Sequence, residues 1–429
     1  MSEQTGPRRG LILSLNSGSS SLKVSLYRPA SPSSSNASEE PITLLLSSSI
    51  TSILSKPKFS FKTIHNDVSP CSVKDEDAEI VKDHESGFAH FLEYLEKKTD
   101  IDKTQISQAC HRVVHGGDYT EPVVITDSSY HHIERLSDLA PLHNGAALSI
   151  IKACIRMLPR ATSIAFFDTM FHQNIPAHIS SYALSQEVAQ RKGLKKYGFH
   201  GLSYAYILRE VSRHLKKPQD ATSLIVLHLG SGASACAIQE GQSLDTSMGL
   251  TPASGLPGAT RAGDIDPTLI FHFTHEAGRL SHSKAGARDV DITKAEEILN
   301  KQAGWSSLVG TTDFSQVVSD RAANPNAALA FNIFVDRIIG FLGAYFVKMG
   351  GKVDALVFAG GIGEKSAELR QAVGERCICI GFGVDEDRNT RVNESGDVVS
   401  RIGEKVLVCE TDEQVEMARL CALEPRFGE

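Results

Sequence analysis

The sequence predicts an α/β protein with mixed sheets, and three observations support this prediction. Apolar strand-like segments alternate with helical segments along most of the chain, which is the pattern of an α/β fold. Residues 11–26 and 224–239 share one design, in which an apolar strand, a Gly/Ser turn and an alternating strand follow one another. The length of 429 residues suggests two or three domains. The shared design indicates either an internal duplication or two hairpins that happen to look alike.

The N-terminal segments begin with a predicted β-hairpin. Residues 11–15 predict a short strand, 16–21 a small polar turn, and 23–27 the returning strand. Residues 29–40 are rich in Ser and Pro and poor in apolar residues, so they predict an exposed loop or insertion. Apolar residues at helical spacing predict a helix within 76–98.

The middle of the chain adds a loop, a helix and a buried strand. Residues 111–122 contain paired glycines and a proline and predict a strand end that enters a loop. Residues 145–158 predict an apolar helix, and residues 162–168 predict a buried strand that ends in Asp168.

The C-terminal half repeats this alternation. Residues 224–239 predict the second hairpin, and 326–349 predict a long apolar helix. Residues 353–364 predict a strand that runs into a glycine turn. A last strand is predicted over 406–410 and a terminal helix over 413–422.

Composition excludes some classes of protein. Lys and Arg total 44 and Asp and Glu total 51, so a net charge of −7 argues against a generally basic nucleic-acid binder. No apolar stretch reaches the roughly 18 uncharged residues that a membrane span needs, so neither a membrane segment nor a signal sequence is expected. The eight cysteines contain no Cys-x-x-Cys pair, and Cys377 and Cys379 are expected on one face of a strand. Reduced thiols and a cytoplasmic location are therefore predicted.

Three glycine- or serine-rich turns follow predicted strands: Asn16–Ser21, Gly230–Gly232 and Gly360–Gly363. Glycine lets backbone N–H groups approach an anion closely, and successive N–H groups form an anion nest. Each turn alone is weak evidence, because glycines that follow a strand usually reflect ordinary turn chemistry. The three together, with Lys23 on the strand beside the first turn, favour a polyphosphate site.

Two arginines in glycine-rich loops extend this hypothesis. Arg112 lies in HRVVHGG and Arg261 in GATRAGDIDP. A guanidinium offers a planar fork of donors that matches a carboxylate or a phosphoryl group. The alternative for each arginine is a structural ion pair.

Three histidines and one aspartate lie beside apolar residues near predicted loops. His143, His172 and His200 form no metal-binding spacing, so a zinc site is not expected, and each could be a satisfied core residue. Asp168 ends a predicted buried strand, where active-site carboxylates often lie, or it caps the next turn.

An ordered set of motifs resembles the acetokinase family. The set spans nearly the whole chain outside 29–100 and 280–325, and the Ser-rich insertion is similar to that of the fungal branch. The matching segments are NSGSSSLK (16–23), HRVVHGG (111–117), APLHN (140–144), FDTMFHQNIP (167–176), YGFHG (197–201), HLGSGAS (228–234), DTSMGLTP (245–252), TRAGDIDP (260–267), GGIGE (360–364) and TDE (411–413).

The resemblance implies an actin-like fold in which two duplicated ribonuclease-H-like domains with mixed sheets face a nucleotide cleft. Domain I is expected at 1–172 plus 414–429 and domain II at 173–413. The family forms homodimers through domain II, so a homodimer is expected.

The resemblance also implies roles for individual residues. Catalytic roles fall to Asp168, Arg112, Arg261, His200 and His143, with Asp168 orienting an arginine or the substrate rather than removing a proton. The residues that resemble the family's acetate pocket are Arg112, Val114, Leu142, Phe199 and Pro252. The residues that resemble the family's nucleotide site are Ser19, Ser21, Lys23, His228, Leu229, Gly230, Ser231, Gly232, Gly360, Gly361, Ile362, Gly363 and Glu364. Asn16 and Glu413 resemble the pair that positions Mg²⁺ or Mn²⁺.

The implied reaction is reversible in-line transfer of the γ-phosphoryl group of ATP to acetate, which gives acetyl phosphate and ADP. Ser231, Ala262 and Lys365 depart from the usual family residues. The family's Asp-x-Arg motif has no clean match, and its nearest candidate is Asp320-Arg321. These departures leave pyrophosphate open as an alternative donor. Propionate or butyrate remains an alternative acceptor, and a nucleotide-switched binding protein is an alternative from another class.

Overall fold

The computed structural model describes residues 10–30, 40–136, 141–273, 293–392 and 396–427, with the side chains of 141–143 and 272–273 excepted. The Ser-rich residues 31–39 and the side chains of Leu142 and His143 therefore lie outside the described part.

The described strands are numbered in chain order. They are β1 (Leu11–Ser17), β2 (Leu22–Pro29), β3 (Ile42–Thr51), β4 (Lys58–Thr63), β5 (Ser72–Asp77), β6 (Ile106–Val113), β7 (Val123–Val124), β8 (Thr162–Phe167), β9 (Leu224–Leu229), β10 (Ala233–Gln239), β11 (Gln242–Thr246), β12 (Ala355–Ala359), β13 (Val399–Arg401) and β14 (Val406–Cys409).

The α-helices are numbered in the same way. They are α1 (His84–Lys98), α2 (Asp127–Leu136), α3 (Pro141–Met157), α4 (Ala177–Ser180), α5 (Gln186–Lys192), α6 (Gly201–Leu215), α7 (Leu269–Phe273), α8 (Lys294–Lys301), α9 (Gly304–Val309), α10 (Phe314–Asp320), α11 (Pro325–Lys348), α12 (Gly360–Lys365), α13 (Ala367–Cys377), α14 (Glu386–Thr390) and α15 (Glu413–Leu423).

The chain folds into two compact units. The first contains the described residues up to 167 together with those from 412 onward, and the second contains the described residues from 168 to 411. The predicted domain boundaries lie at 172 and 414.

Unit 1 is built on an eight-stranded sheet in the order β5-β4-β3-β2-β1-β6-β8-β7. β1 and β2 form an antiparallel hairpin, whereas β1 pairs with β6, and β6 with β8, in parallel. Helix α15 is tied to β1 because the Ser14 hydroxyl donates to the Gln414 carbonyl (3.0 Å) and the Gln414 amide donates to the Ser14 carbonyl (3.0 Å). This pairing fixes the start of α15 beside the middle of β1.

Unit 2 is built on a six-stranded sheet in the order β11-β10-β9-β12-β14-β13. β9 and β10 form an antiparallel hairpin, and β9 pairs with β12 in parallel. All six residues of β9 are buried, because helices cover the sheet. Helix α11 supplies much of the cover, with Phe334, Ile338 and Leu342 fully buried in the core.

Each sheet therefore contains a hairpin whose first strand also pairs in parallel with a strand from much later in the chain. The predicted α/β class with mixed sheets is confirmed. This shared topology supports internal duplication over two hairpins that merely look alike.

Several predicted elements need correction. The helix expected within 76–98 begins only at His84, because the preceding residues up to Asp77 pair as strand β5 and Asp83 caps the helix. The glycine turn expected after 353–359 is the first turn of helix α12. Cys377 ends helix α13 and Cys379 lies in a 3₁₀ turn, so the strand predicted for these two residues is wrong.

Helix α11 is, in the described part of the chain, the one helix long and apolar enough to cross a membrane by length and composition alone. Its buried face belongs to the core of unit 2, and Asp336 and Arg337 lie exposed near its middle. A core helix explains both the apolar composition and the charges.

Arg370 on α13 connects three elements of unit 2. Its side chain is 2% exposed and donates to the carbonyls of Gly363 (2.9 Å) and Glu364 (2.8 Å) and to the Asn389 side chain (2.7 Å) and carbonyl (2.8 Å). Burial lowers the pKa of Arg370 to about 10, so the side chain remains charged at neutral pH.

We expect Arg370→Met to destabilise unit 2 by roughly 3 kcal/mol, because several buried acceptors would lose their donor together. Chemical denaturation followed by circular dichroism measures the loss. Arg376→Met on the same helix is the matched control, because Arg376 is exposed, and its expected change is within about 0.5 kcal/mol. Equal effects of the two substitutions would contradict the role assigned to Arg370.

Candidate active-site clusters

In unit 1, parallel pairing brings together polar residues that are far apart in the sequence. Asn16 lies at the end of β1 and Arg112 near the end of β6, while Glu413 is the first residue of α15. Arg112 Nη1 lies 3.3 Å from Asn16 Oδ1 and 3.9 Å from Glu413 Oε1. The Arg112 and Glu413 side chains are 16% and 14% exposed, so the cluster is largely shielded from solvent.

Asp412, which the sequence interpretation did not single out, belongs beside this cluster. Its carboxylate caps α15 by accepting from the backbone N–H groups of Gln414 (2.9 Å) and Val415 (3.0 Å). Burial raises the pKa of Asp412, and the positive charge of Lys23 acts in the opposite direction. Its place in TDE, one residue before Glu413, was the available signal.

The β1–β2 turn presents the residues predicted to face phosphate. The Gly18 N–H donates to the Ser21 carbonyl (2.9 Å), which closes the turn. His84 Nε2 lies 2.7 Å from the Gly18 carbonyl oxygen and supports the turn from α1. Ser19 and Lys23 are exposed, and Asn16 and Lys23 are directly opposite in the hairpin register. Exposed donors at a supported turn suit a phosphate ligand.

In unit 2, the predicted nucleotide residues meet at one edge of the sheet. His228, the second-to-last residue of β9, lies opposite Ala359, the last residue of β12. The Gly230–Gly232 turn and the start of α12 therefore open at the same edge. Gly360 has φ of +73°, and a Cβ there would lie 2.7 Å from the Leu229 carbonyl oxygen, so glycine is required for this approach.

Glu364 is held at this edge within unit 2. Its carboxylate accepts a hydrogen bond from the Thr411 N–H (3.2 Å). Burial raises the pKa of Glu364. Leu229 is buried, whereas Gly361 is exposed and Ile362 is half-buried.

Arg261 lies against the second glycine turn. A Cβ on Gly232 would stand 2.8 Å from Arg261 Nη1, so the guanidinium is packed directly on the turn. The Ala259 N–H donates to the Ser231 carbonyl (2.8 Å), which fixes the Arg261 loop on the same turn. Burial lowers the pKa of Arg261 below its ordinary value, but a guanidinium remains charged at neutral pH. Arg261 thus supplies a positive charge beside the backbone of Gly230–Gly232.

His200 and His228 form a stacked pair, with ring centroids 4.1 Å apart and an angle of 22° between the planes. His200 caps α6 with φ of +58°, a conformation that is uncommon for a residue with a side chain. Serines hold both rings: His200 Nδ1 lies 2.7 Å from Ser234 Oγ, and His228 Nδ1 lies 2.7 Å from Ser203 Oγ. Neither serine was a predicted site residue, although Ser234 closes the motif HLGSGAS.

Asp168 is fully buried at the start of the 3₁₀ helix Asp168–His172. Gly201 lies against its backbone, since a Cβ on Gly201 would overlap the Asp168 carbonyl oxygen. This close approach packs Asp168 against the N-terminus of α6, next to His200.

His172 is a structural residue. Its Nε2 lies 2.9 Å from the Phe199 carbonyl oxygen and its Nδ1 lies 2.7 Å from Ser243 Oγ. Burial lowers the pKa of His172 to about 4, so the ring is neutral at physiological pH. The alternative of a satisfied core histidine therefore holds for His172.

The residues predicted to form the acetate pocket divide between the units. Val114 is half-buried just after β6 in unit 1. Phe199 and Pro252 are buried in unit 2, where Arg261 Nη1 lies 3.5 Å from the Pro252 carbonyl oxygen. The candidate Asp320-Arg321 pair ends α10, and the Arg321 guanidinium lies 4.6 Å from the centroid of the Phe331 ring.

Known proteins resemble the chain over nearly its full length. The sequence model of the Acetokinase family matches residues 11–419. A protein of Emericella nidulans named probable acetate kinase is 47% identical over 428 residues, which cover 97% of this chain and 98% of that protein.

Solved structures agree. A propionate kinase from Francisella tularensis subsp. tularensis superposes with a TM-score of 0.79 at 31% identity, covering 96% of this chain and 98% of that one. Porphyromonas gingivalis acetate kinase gives a TM-score of 0.75 at 30% identity, covering 97% of this chain and all (100%) of that one. These structures share the actin-like fold of the acetate and propionate kinases, and the chain belongs to the Acetokinase family.

Proposed function

We propose that this protein is an acetate kinase that transfers the γ-phosphoryl group of ATP to acetate, reversibly, by direct in-line displacement. The observation that carries the proposal is a pair of arginines that are shielded from solvent. Each lies beside residues of its own unit that are predicted to bind phosphate or metal. Arg112 lies with Asn16 and Glu413, and Arg261 lies on the Gly230–Gly232 turn. Family membership supports the same assignment.

The chemistry of this transfer needs charge and alignment more than proton transfer. Acetate is ionised at neutral pH and needs no strong base to become a nucleophile. Two anions must instead be aligned, and the charge on the moving phosphoryl group must be neutralised. Two arginines, a lysine and a histidine are suited to these tasks.

Each unit supplies part of this machinery in the proposal. In unit 1, Arg112 holds acetate and the transferring phosphoryl group, and Lys23 faces phosphate. In unit 2, Arg261 and His200 stabilise the transition state, and the backbone of Gly230–Gly232 binds phosphate. Asp168 orients an arginine or the substrate and does not remove a proton.

Asn16 and Glu413 would position Mg²⁺. Amide and carboxylate oxygens are ligands that Mg²⁺ accepts, and the ion commonly keeps several waters and binds substrate phosphates as well. No group of three or more His, Cys, Asp or Glu residues capable of holding a metal occurs among the described residues. A site with two protein ligands fits Asn16 and Glu413, whose side-chain oxygens lie 3.3 Å and 3.9 Å from the same atom, Arg112 Nη1. The metal would neutralise charge on the phosphates of the nucleotide.

Propionate is the alternative acceptor that a specific observation favours, because a propionate kinase is among the similar structures. Val114, Phe199 and Pro252 match the acetate-type pocket, which supports acetate as the principal substrate. The departures at Ser231 and Lys365 make the phosphoryl donor, ATP or pyrophosphate, a separate question. A protein that binds a nucleotide without transferring its phosphoryl group would be expected only if Arg112 and Arg261 were missing.

We also propose that a second copy of the chain covers the outer face of α11, giving a homodimer. Apolar residues on this helix remain exposed, with Leu329 48% and Val347 76% accessible. Gly340 and Ala344 are exposed on the same helix, and small residues allow two helices to approach closely. A two-fold contact would bury this face against itself.

We also propose that the protein is located in the cytoplasm. All eight cysteines are free thiols, and six of them are buried. Free thiols are typical of reducing compartments.

The substrate and donor are tested together by a hydroxamate assay for acyl phosphate with purified protein. We expect activity with acetate, less with propionate and least with butyrate, with ATP as the preferred donor over GTP and pyrophosphate. Removal of divalent metal with EDTA should abolish the reaction, and added Mg²⁺ should restore it. A preference for a longer carboxylate, or for pyrophosphate, would overturn the corresponding assignment.

Truncation of either arginine tests the transition-state role. For Arg112→Ala and Arg261→Ala we expect kcat to fall roughly 100- to 1000-fold, the scale on which removal of one transition-state donor acts. Arg156→Ala and Arg213→Ala are matched controls, because both side chains are exposed on helices, at 61% and 58%. A rise in KM with unchanged kcat would contradict a transition-state role.

The proposed dimer face is tested by sedimentation velocity. The wild-type chain should sediment as a dimer, and Gly340→Arg should shift it to a monomer, because a buried charge and a long side chain would separate the helices. Ile378→Arg is the control, since Ile378 is 65% exposed and lies outside α11. A dimer that survives Gly340→Arg would place the interface elsewhere.

A further inference from the structure

A buried chain of two hydroxyl groups leads to the His200 ring in unit 2. The Tyr204 hydroxyl lies 2.5 Å from Ser234 Oγ, and Ser234 Oγ lies 2.7 Å from His200 Nδ1. The side chains of Tyr204 and Ser234 have no accessible surface. Water therefore does not compete for these hydrogen bonds.

The direction of the chain follows from its buried end. Burial raises the pKa of Tyr204 well above its ordinary value, so the phenol keeps its proton. Within the described residues, Ser234 Oγ is the hydrogen-bond partner of the Tyr204 hydroxyl. A buried O–H without an acceptor is costly, so Tyr204 donates to Ser234. Ser234 accepts this hydrogen bond with an oxygen lone pair, and it donates its single hydroxyl hydrogen to His200 Nδ1.

A ring whose Nδ1 accepts a hydrogen bond carries its proton on Nε2 when it is neutral. The stack with His228 favours the neutral state, because two positive rings with centroids 4.1 Å apart would repel each other. The φ of +58° at His200 and the tight approach of Gly201 to the Asp168 backbone also restrain the position from which the ring projects.

We propose that Tyr204 and Ser234 are positioning residues that hold His200 as the neutral tautomer with its proton on Nε2, ready to donate a hydrogen bond to the phosphoryl group. This inference rests on the transition-state role given to His200 in the proposed function and extends it to two further residues. The arrangement gives His200 the role of a donor that is oriented before the substrate arrives. Preorganised donors of this kind need no rearrangement during the reaction.

The experiment measures the ring nitrogens directly. The full-length protein is labelled with ¹⁵N-histidine, and long-range proton–nitrogen spectra are recorded without substrate. The chain has 16 histidines, and a His200→Gln spectrum identifies the signals of His200. We expect a pyridine-type shift at Nδ1 and a pyrrole-type shift at Nε2. In Tyr204→Phe and Ser234→Ala, both nitrogens should move toward the averaged shifts of a ring that exchanges tautomers.

Kinetics provide the second measurement. For both variants we expect kcat to fall about 10-fold or more, the scale on which loss of a histidine's supporting partner acts elsewhere, with KM values changed less than kcat. Tyr345→Phe is the matched control: Tyr345 is a buried phenol of the same unit, and its hydroxyl has no hydrogen-bond partner in the described part of the chain. This control should keep the His200 shifts and kcat of the wild type.

Two results would overturn the proposal. One is a wild-type His200 with its proton on Nδ1, and the other is unchanged His200 shifts in both Tyr204→Phe and Ser234→Ala. Thermal unfolding identifies a variant that has lost its fold. In that case the wild-type spectrum alone decides whether His200 carries its proton on Nε2 or on Nδ1. The spectra need no substrate, so a wild-type protein that phosphorylates no carboxylate would contradict the proposed function, while the tautomer would still be judged by its own shifts.

Discussion

Parallel pairing between a hairpin strand and a strand from much later in the chain is the constraint on which both candidate clusters depend. In unit 1, β1 pairs with β6, and this brings Asn16 and Arg112 together across almost a hundred residues of sequence. In unit 2, β9 pairs with β12, and this brings His228 opposite Ala359 and the start of α12. The carboxyl ends of parallel strands open at one sheet edge, which is where α/β proteins bind ligands.

An acidic chain binds anions in this arrangement because local geometry outweighs net charge. The formal charge of −7 is a property of the whole chain. Arg112 is shielded among the polar groups of unit 1, and Arg261 is packed on the Gly230–Gly232 turn. A charge in a partly desolvated position interacts more strongly with an anion than the same charge at the surface. Two such cations, with backbone N–H groups, therefore matter more than the surplus of surface carboxylates.

Small hydroxyl residues organise the histidines of unit 2. Ser203 lies 2.7 Å from His228 Nδ1 and 2.6 Å from Thr411 Oγ1, and the Thr411 N–H in turn donates to Glu364. The hydrogen bonds thus connect β9 with the segment that follows β14 and with helix α12. A displacement of one segment would alter the hydrogen bond to the His228 ring, because each group in this network is held by its neighbour.

Pattern and motif alone were sufficient for the fold class, the two hairpins, the long core helix α11 and the family. They were sufficient because strand alternation, helical spacing and glycine turns are local properties of the sequence. Local pattern failed where another interaction decided the outcome. Residues up to Asp77 became strand β5 because β4 offered a pairing partner, and Cys377 ended a helix rather than a strand.

Only the tertiary structure decided which predicted residues share a cluster and which groups support them. Asn16, Arg112 and Glu413 meet because β1, β6 and α15 are neighbours, and no spacing in the sequence encodes that contact. Tyr204 and Ser234 look like ordinary core and strand residues until burial removes water and leaves the Tyr204 hydroxyl bonded to Ser234, and the Ser234 hydroxyl bonded to Tyr204 and His200. Hydrogen-bond direction depends on what surrounds a group in space, and the order of residues alone does not contain that information.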